Sequence, residues 1–126
     1  MKRWAPLLLL PMIVAACSSS SPVRLPDGEW GGRNMALIVE EMGASGSFKC
    51  GARGRIDQPL TLDESGAFDL PGTYDPAVVA GGPRAARYVG AMSGTTLQVT
   101  VSVEGNVIGT FQLAQGRATS FDVCNF

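Results

Sequence analysis

Leu97-Gln98-Val99-Thr100-Val101-Ser102-Val103-Glu104 is the stretch that decides the fold. Apolar and polar residues alternate strictly along it, and a period of two puts every apolar side chain on one face of a strand and every polar one on the other. A helix would scatter the same residues around its axis. Gly105-Asn106 follows as a tight turn, and Val107 to Ala114 returns as the second strand of a hairpin. Beyond it, Gln115-Gly116 turns the chain again and Ala118 to Phe126 reads as the last strand. On the other side, Ala67 to Tyr74 carries Phe68 and Leu70 on one face, and Pro59 to Asp63 is a short strand closed by Glu64-Ser65-Gly66. Further back, Met35 to Glu41 and Ser47 to Arg53 are strands separated by the turn formers Gly43-Ala44-Ser45-Gly46. The longest irregular segment is Asp75 to Pro83, with Val78-Val79 between turn formers; a segment of that size is either a working loop or a plain connection. Short strands at a spacing of about 8–12 residues, with no convincing helix, predict an all-β antiparallel meander of about eight strands, closed as a barrel or stacked as a sandwich. A barrel has the advantage of leaving no open edge.

Composition narrows the function classes. The 126 residues include ten basic and eleven acidic side chains, a net charge of −1, and such a surface does not neutralise phosphates as a nucleic-acid partner requires. There is no histidine. That removes Ser-His-Asp and Cys-His triads and the commonest general base at neutral pH, and it makes zinc an improbable ligand. Glu40 and Glu41 are neighbours in a strand and point to opposite faces, which is wrong for a shared acid/base site. Asp63-Glu64 sits in a turn, where an aspartate normally bonds its own backbone. The residues therefore argue against an enzyme, and no catalytic residue, metal or cofactor is expected.

The amino terminus has its own logic. Lys2-Arg3 is a short positive region, and Trp4 to Val14 is apolar but interrupted by Pro6 and Pro11. It has about half the ~20 residues a spanning helix needs, so it reads as an export signal. Val14-Ala15-Ala16-Cys17 resembles the bacterial lipobox. The resemblance implies that the Cys17 sulfur receives a diacylglycerol of the palmitate kind, that residues 1–16 are removed as a signal peptide, and that the freed amine is a site for a further acyl chain. Each buried CH₂ contributes about 0.8 kcal/mol, and a second chain makes anchoring stable. The alternative is an ordinary secretory leader with an incidental cysteine. Ser18 stands where an aspartate would, by resemblance to enterobacterial sorting, retain the protein at the inner membrane. The expected place is thus the cell envelope, on the outer membrane facing the periplasm in a Gram-negative source. Ser18 to Pro22 is polar and reads as a flexible spacer, so residues 17–27 form a lipidated tether and 28–126 the folded domain.

Three cysteines in an exported chain leave one over unless one has another fate. The lipobox takes Cys17, which leaves Cys50 and Cys124 for a disulfide; no Cys-x-x-Cys spacing favours a redox pair.

Two groups of residues are candidates for binding. Lys49, Arg53 and Arg55 share parity, so on a continuous strand they form a basic stripe suited to an acidic partner, an anionic glycan or a lipid headgroup. The plainer reading is a solvated outer face, and Gly51 and Gly54 threaten the parity with a bulge. Arg84, Arg87 and Tyr88 lie beside the long segment; Arg and Tyr are enriched in binding hot spots, though a strand tyrosine is more often core.

Trp30-Gly31-Gly32, Phe48-x-Cys50, Gly54-x-Ile56-Asp57-x-Pro59-Leu60, Gly66-x-Phe68-Asp69, Gly72-Thr73-Tyr74, Ala86-Arg87-Tyr88-x-Gly90 and Cys124 resemble a group of small exported bacterial β-proteins of uncharacterised function. That resemblance implies a strand-rich, disulfide-closed domain and no particular activity. Lipid-anchored inhibitors of c-type lysozyme are similar in size, anchor and architecture, but their Ser-Gly-x-x-Tyr loop is not matched, since no tyrosine follows Ser93-Gly94. Three roles follow as expectations: an envelope module binding a protein partner as an inhibitor or assembly factor, a lipocalin-like carrier of a small apolar ligand, or a structural lipoprotein.

Overall fold

A computed structural model of the chain describes residues 23–77 and 81–124. Cys17, the leader, the first part of the tether and Val78-Val79 lie outside them. The strands are β1 (Val23–Arg24), β2 (Gly28–Gly32), β3 (Met35–Glu40), β4 (Gly43–Phe48), β5 (Arg53–Ile56), β6 (Thr61–Leu62), β7 (Ala67–Asp75), β8 (Arg84–Ser93), β9 (Thr96–Val103) and β10 (Asn106–Gln115). Eight of them close an antiparallel barrel in the order β10-β2-β3-β4-β5-β7-β8-β9, and β1 and β6 pair with each other outside it. The closing pair sets Leu113 opposite Gly32 and Gln115 opposite Trp30. Of the two architectures the sequence allows, the barrel is the one formed, and the Cys50–Cys124 disulfide is present.

The period of two explains the core. Leu97, Val99 and Val101 of β9 are 0% exposed, while Gln98 between them faces water. Each such burial stabilises by about 1.5–3 kcal/mol before chain entropy is counted. On the outer wall Gln112 donates to Gln98 at 2.8 Å, Thr100 and Thr110 lie 3.1 Å apart, and Arg87 meets Asp69 at 2.6 Å. Such polar ladders belong to a wall in water, whereas a barrel in lipid carries an apolar band there. Inside, bulk is matched to space. Tyr88 and Phe68 fill the lumen where Gly54, Gly72 and Gly90 face them, and a Cβ on any of the three would collide with an aromatic ring or the Tyr88 hydroxyl.

The two ends of the barrel differ. One end is closed: Leu25 and Leu60, both 0% exposed, plug it, and the Leu25 amide donates to the Leu60 carbonyl at 2.9 Å. The Trp30 indole N–H donates to the Pro26 carbonyl from below. The turns at 33–34, 49–52 and 104–105 gather at the opposite, open end, where β7 ends at Asp75 and β8 begins at Arg84. After Gly116 the chain returns along β2 as a strap. Ser120 bridges in parallel to Arg33, and its amide donates to the Gly32 carbonyl. The strap crosses the outside of Gly31, where a Cβ would meet the Arg117 carbonyl, and ends on Cys50 at the open end.

Several expectations change. Gly43-Ala44-Ser45-Gly46 is not a turn but most of β4, paired on both sides; the turn is Glu41-Met42. Gly43 is glycine because the Ile56 carbonyl occupies the space of a Cβ. Ser47 to Arg53 is not one strand, since Lys49–Gly51 winds a 3-10 turn with Cys50 at φ +67°. Ala118 to Phe126 is not a strand either: residues 117–124 form the strap, leaving Phe121 48% and Val123 80% exposed. The Pro59 to Asp63 strand shrinks to β6, outside the barrel. The turn into β10 is Glu104-Gly105, both at positive φ as a tight hairpin of this hand demands. Residues 23–27, expected in the tether, belong to the folded domain, because β1 pairs with β6 and Leu25 is buried.

Candidate functional site

Near the open end β4, β7 and β10 each place an aromatic residue inward, on β10 one inward position before Gly109. Phe48 meets Tyr74 edge-on at 5.1 Å and Phe111 at 5.8 Å between ring centroids, the arrangement in which ring quadrupoles attract. They line a cleft of about 380 Å³, bordered by Lys49, Pro76 and Ile108. That volume lies at the lower end of the range for sites that take a small ligand or an inserted side chain, about 300–1,000 Å³. Burial pushes the Tyr74 hydroxyl pKa up.

Ile108 reaches this cleft by a local irregularity. Val107 pairs with Ser102 and Gly109 with Val101, so Ile108 is an extra residue in β10 and the register shifts around it. Bulges of this kind re-aim a side chain. Ile108 borders both the aromatic cleft and a neighbouring recess of about 420 Å³ that also holds Arg84, Glu104 and Asn106. Val107, 65% exposed, Ile108, 42% exposed, and Phe121 and Val123 on the strap add four large exposed apolar side chains towards this end.

The residues singled out from the sequence fall in different places. Lys49 stands on the 3-10 turn at the rim of the cleft, whereas Arg53 and Arg55 remain on the outer wall of β5, so the stripe of three is broken. Arg84 reaches the open end and lies 3.7 Å from Glu104. Arg87 is on the outer wall, bonded to Asp69, which lifts its pKa. Tyr88 points inward at 1% exposure and donates to the Thr73 carbonyl at 2.6 Å; desolvation drives its hydroxyl pKa far up. It is a core residue that no partner can touch, and the 84–88 patch is therefore not one surface. Cys50 and Cys124 join with their Cα atoms 5.6 Å apart. Sequence reasoning did not assemble Phe48, Tyr74, Ile108 and Phe111. The available signal was Gly109 inside a strand pattern, which marks a bulge.

The strap is clasped by charge as well as by the disulfide. Arg33 makes a forked contact with Asp122 at 3.1–3.2 Å, and the Asn34 amide adds a bond at 2.9 Å. The Asn34 and Arg33 hydrogen bonds hold the Asp122 carboxyl below its usual range. The closed end is acidic, with Glu29, Glu40, Glu41, Asp57, Asp63 and Glu64 crowding its strand ends and turns, although Val23 and Met42 are exposed there too. Among the described residues, no three His, Cys, Asp or Glu side chains are grouped to hold a metal ion.

Comparison with family models, with curated proteins and with solved structures found no match to this chain.

Proposed function

We propose that this protein is a lipid-anchored cell-envelope module, not an enzyme, that grips a protein partner with the open end of its barrel, as an inhibitor or an assembly factor. The anchor is the lipid on Cys17 implied by Val14-Ala15-Ala16-Cys17, and the membrane is the outer one, facing the periplasm, in a Gram-negative source. One observation carries the reading. The chain joins the barrel at its closed end, through β1, while the aromatic cleft and the exposed Val107, Ile108, Phe121 and Val123 lie towards the other. An anchored barrel of this polarity offers its apolar end away from the point of attachment. An apolar centre with polar residues at its rim is the common anatomy of a protein interface.

The carrier alternative is confined by the lumen. Leu37, Tyr88, Leu97, Val99, Val101 and Leu113 pack its axis at 0–1% exposure, so a small apolar ligand would have to sit in the cleft of about 380 Å³ at the open end. Carboxylate-bearing variants at the two ends test the reading. Ile108→Asp removes an apolar side chain from the open end, and Met42→Asp alters the closed end, where Met42 is 68% exposed. Co-purification from mild detergent extracts of the envelope is expected to yield a stoichiometric partner with the unmodified chain and with Met42→Asp, and to lose it with Ile108→Asp. Retention by Ile108→Asp, or loss with Met42→Asp instead, contradicts the proposal.

A further inference from the structure

β4 and β5 run side by side in a register that sets Ser45 opposite Arg55 and Ser47 opposite Arg53. All four side chains lie on the outer wall, since Ala44, Phe48 and Ile56 at the alternate positions are buried. Between the two pairs, Gly46 faces Gly54. A Cβ on Gly54 would run into the Tyr88 hydroxyl, so the wall here rests directly on the core. Here lies a groove of about 450 Å³ lined by Ser45, Ser47, Thr73, Arg53 and Arg55, with Asp75 as the one carboxylate residue in its wall. Ile38 and Pro83 supply apolar edges.

The charges in the groove are only partly used. Asp75 is the register partner of Arg53 on β7, yet its carboxylate accepts from the Ala77 amide at 2.9 Å and makes no ion pair with Arg53. Arg55 is held by Asp57 through Nε at 2.6 Å, which leaves its terminal nitrogens to a ligand. A guanidinium fork matches a carboxylate in shape and charge. Hydroxyls beside it can exchange hydrogen bonds with ring hydroxyls, and Ile38 and Pro83 can cover a C–H face.

We propose that this groove binds the acidic unit of a saccharide, a sugar bearing a carboxylate, independently of any partner at the open end. The full chain, isotope-labelled and held in an uncharged polyoxyethylene detergent, is titrated by NMR with glucuronate, glucose and inorganic phosphate in turn. Glucuronate is expected to move the Ser45, Ser47, Arg53 and Thr73 amides saturably, and glucose to bind at least about tenfold more weakly, the scale of one charge-assisted hydrogen bond. Arg53→Gln is expected to weaken glucuronate by a similar factor while the core resonances stay in place. Arg87→Gln, on the same outer wall but bonded to Asp69, is expected to leave it unchanged. Phosphate binding as tightly as glucuronate overturns the sugar assignment, and glucose matching glucuronate, or indifference to Arg53→Gln, overturns the site.

Discussion

Tyr88 holds the barrel wall from inside: its ring packs where Gly54 and Gly72 leave room, and its hydroxyl ends on the Thr73 carbonyl of the neighbouring strand. Tyr88→Phe keeps the ring and removes the bond, so urea unfolding is expected to show a loss of about 1 kcal/mol. An unchanged midpoint would mean that the carbonyl finds water and the wall opens there. Gly90→Ala tests the other side of the same packing, because the new Cβ would land in the Phe68 ring. Overpacking of this kind costs about 1–3 kcal/mol, and a stability equal to the parent's would show that the lumen yields more than its burial implies. Neither substitution touches the open end, so both are expected to leave partner binding intact.

Among the elements, the strap depends on the rest and not on its own ladder. It has one bridge to the barrel, the Arg33–Asn34–Asp122 clasp and the disulfide. Closing a loop with a sequence separation of 74 stabilises by about 4 kcal/mol on the entropic account. A Cys50→Ser, Cys124→Ser chain is expected to lose about 2–5 kcal/mol in denaturant unfolding, with hydrogen exchange at the Ser120 amide accelerating first. Acid acts on the same element. Asp122 has a lowered pKa in the folded chain, so its contribution is present above the ordinary carboxyl value of about 4 and is lost as pH falls through the lowered one. Asp63, lowered by its bonds to Ser65 and Ala67, behaves alike in the turn before β7. Protection of the Asn34 and Ser120 amides is expected to hold at neutral pH and to fall below about pH 4. Protection that rises on acidification would contradict the clasp.

What was legible follows from the range of the interactions. Leu97 to Val103 announces its strand because alternation is local and both faces are unambiguous. Gly43 to Gly46 misleads because Gly43 answers to the distant Ile56 carbonyl, which no local pattern displays, while Gly46 makes room for the Phe48 ring of its own strand. The strap reads as a strand for the same reason, its partners lying some 88 residues away. For Tyr88 the sequence leaves a core and a binding role open, and the register makes it core. The open-end cleft needed the most: Phe48, Tyr74 and Phe111 are plain in the sequence, but their meeting depends on three registers and on the bulge that turns Ile108.

At the scale of the whole molecule, the barrel has a direction. An acidic closed end receives the chain, and an apolar, partly basic end faces the other way. Metabolic labelling with a palmitate analogue is expected to mark the chain, and Cys17→Ser is expected to lose the label while keeping the Cys50–Cys124 bond. A labelled Cys17→Ser chain would remove the anchor from the account. A photo-crosslinking phenylalanine analogue placed at Ile108, or at Met42, in cells making the full chain tests the barrel's direction. A discrete protein adduct is expected from position 108 and none from position 42. Adducts from position 42 alone, or equal adducts from both, would contradict it.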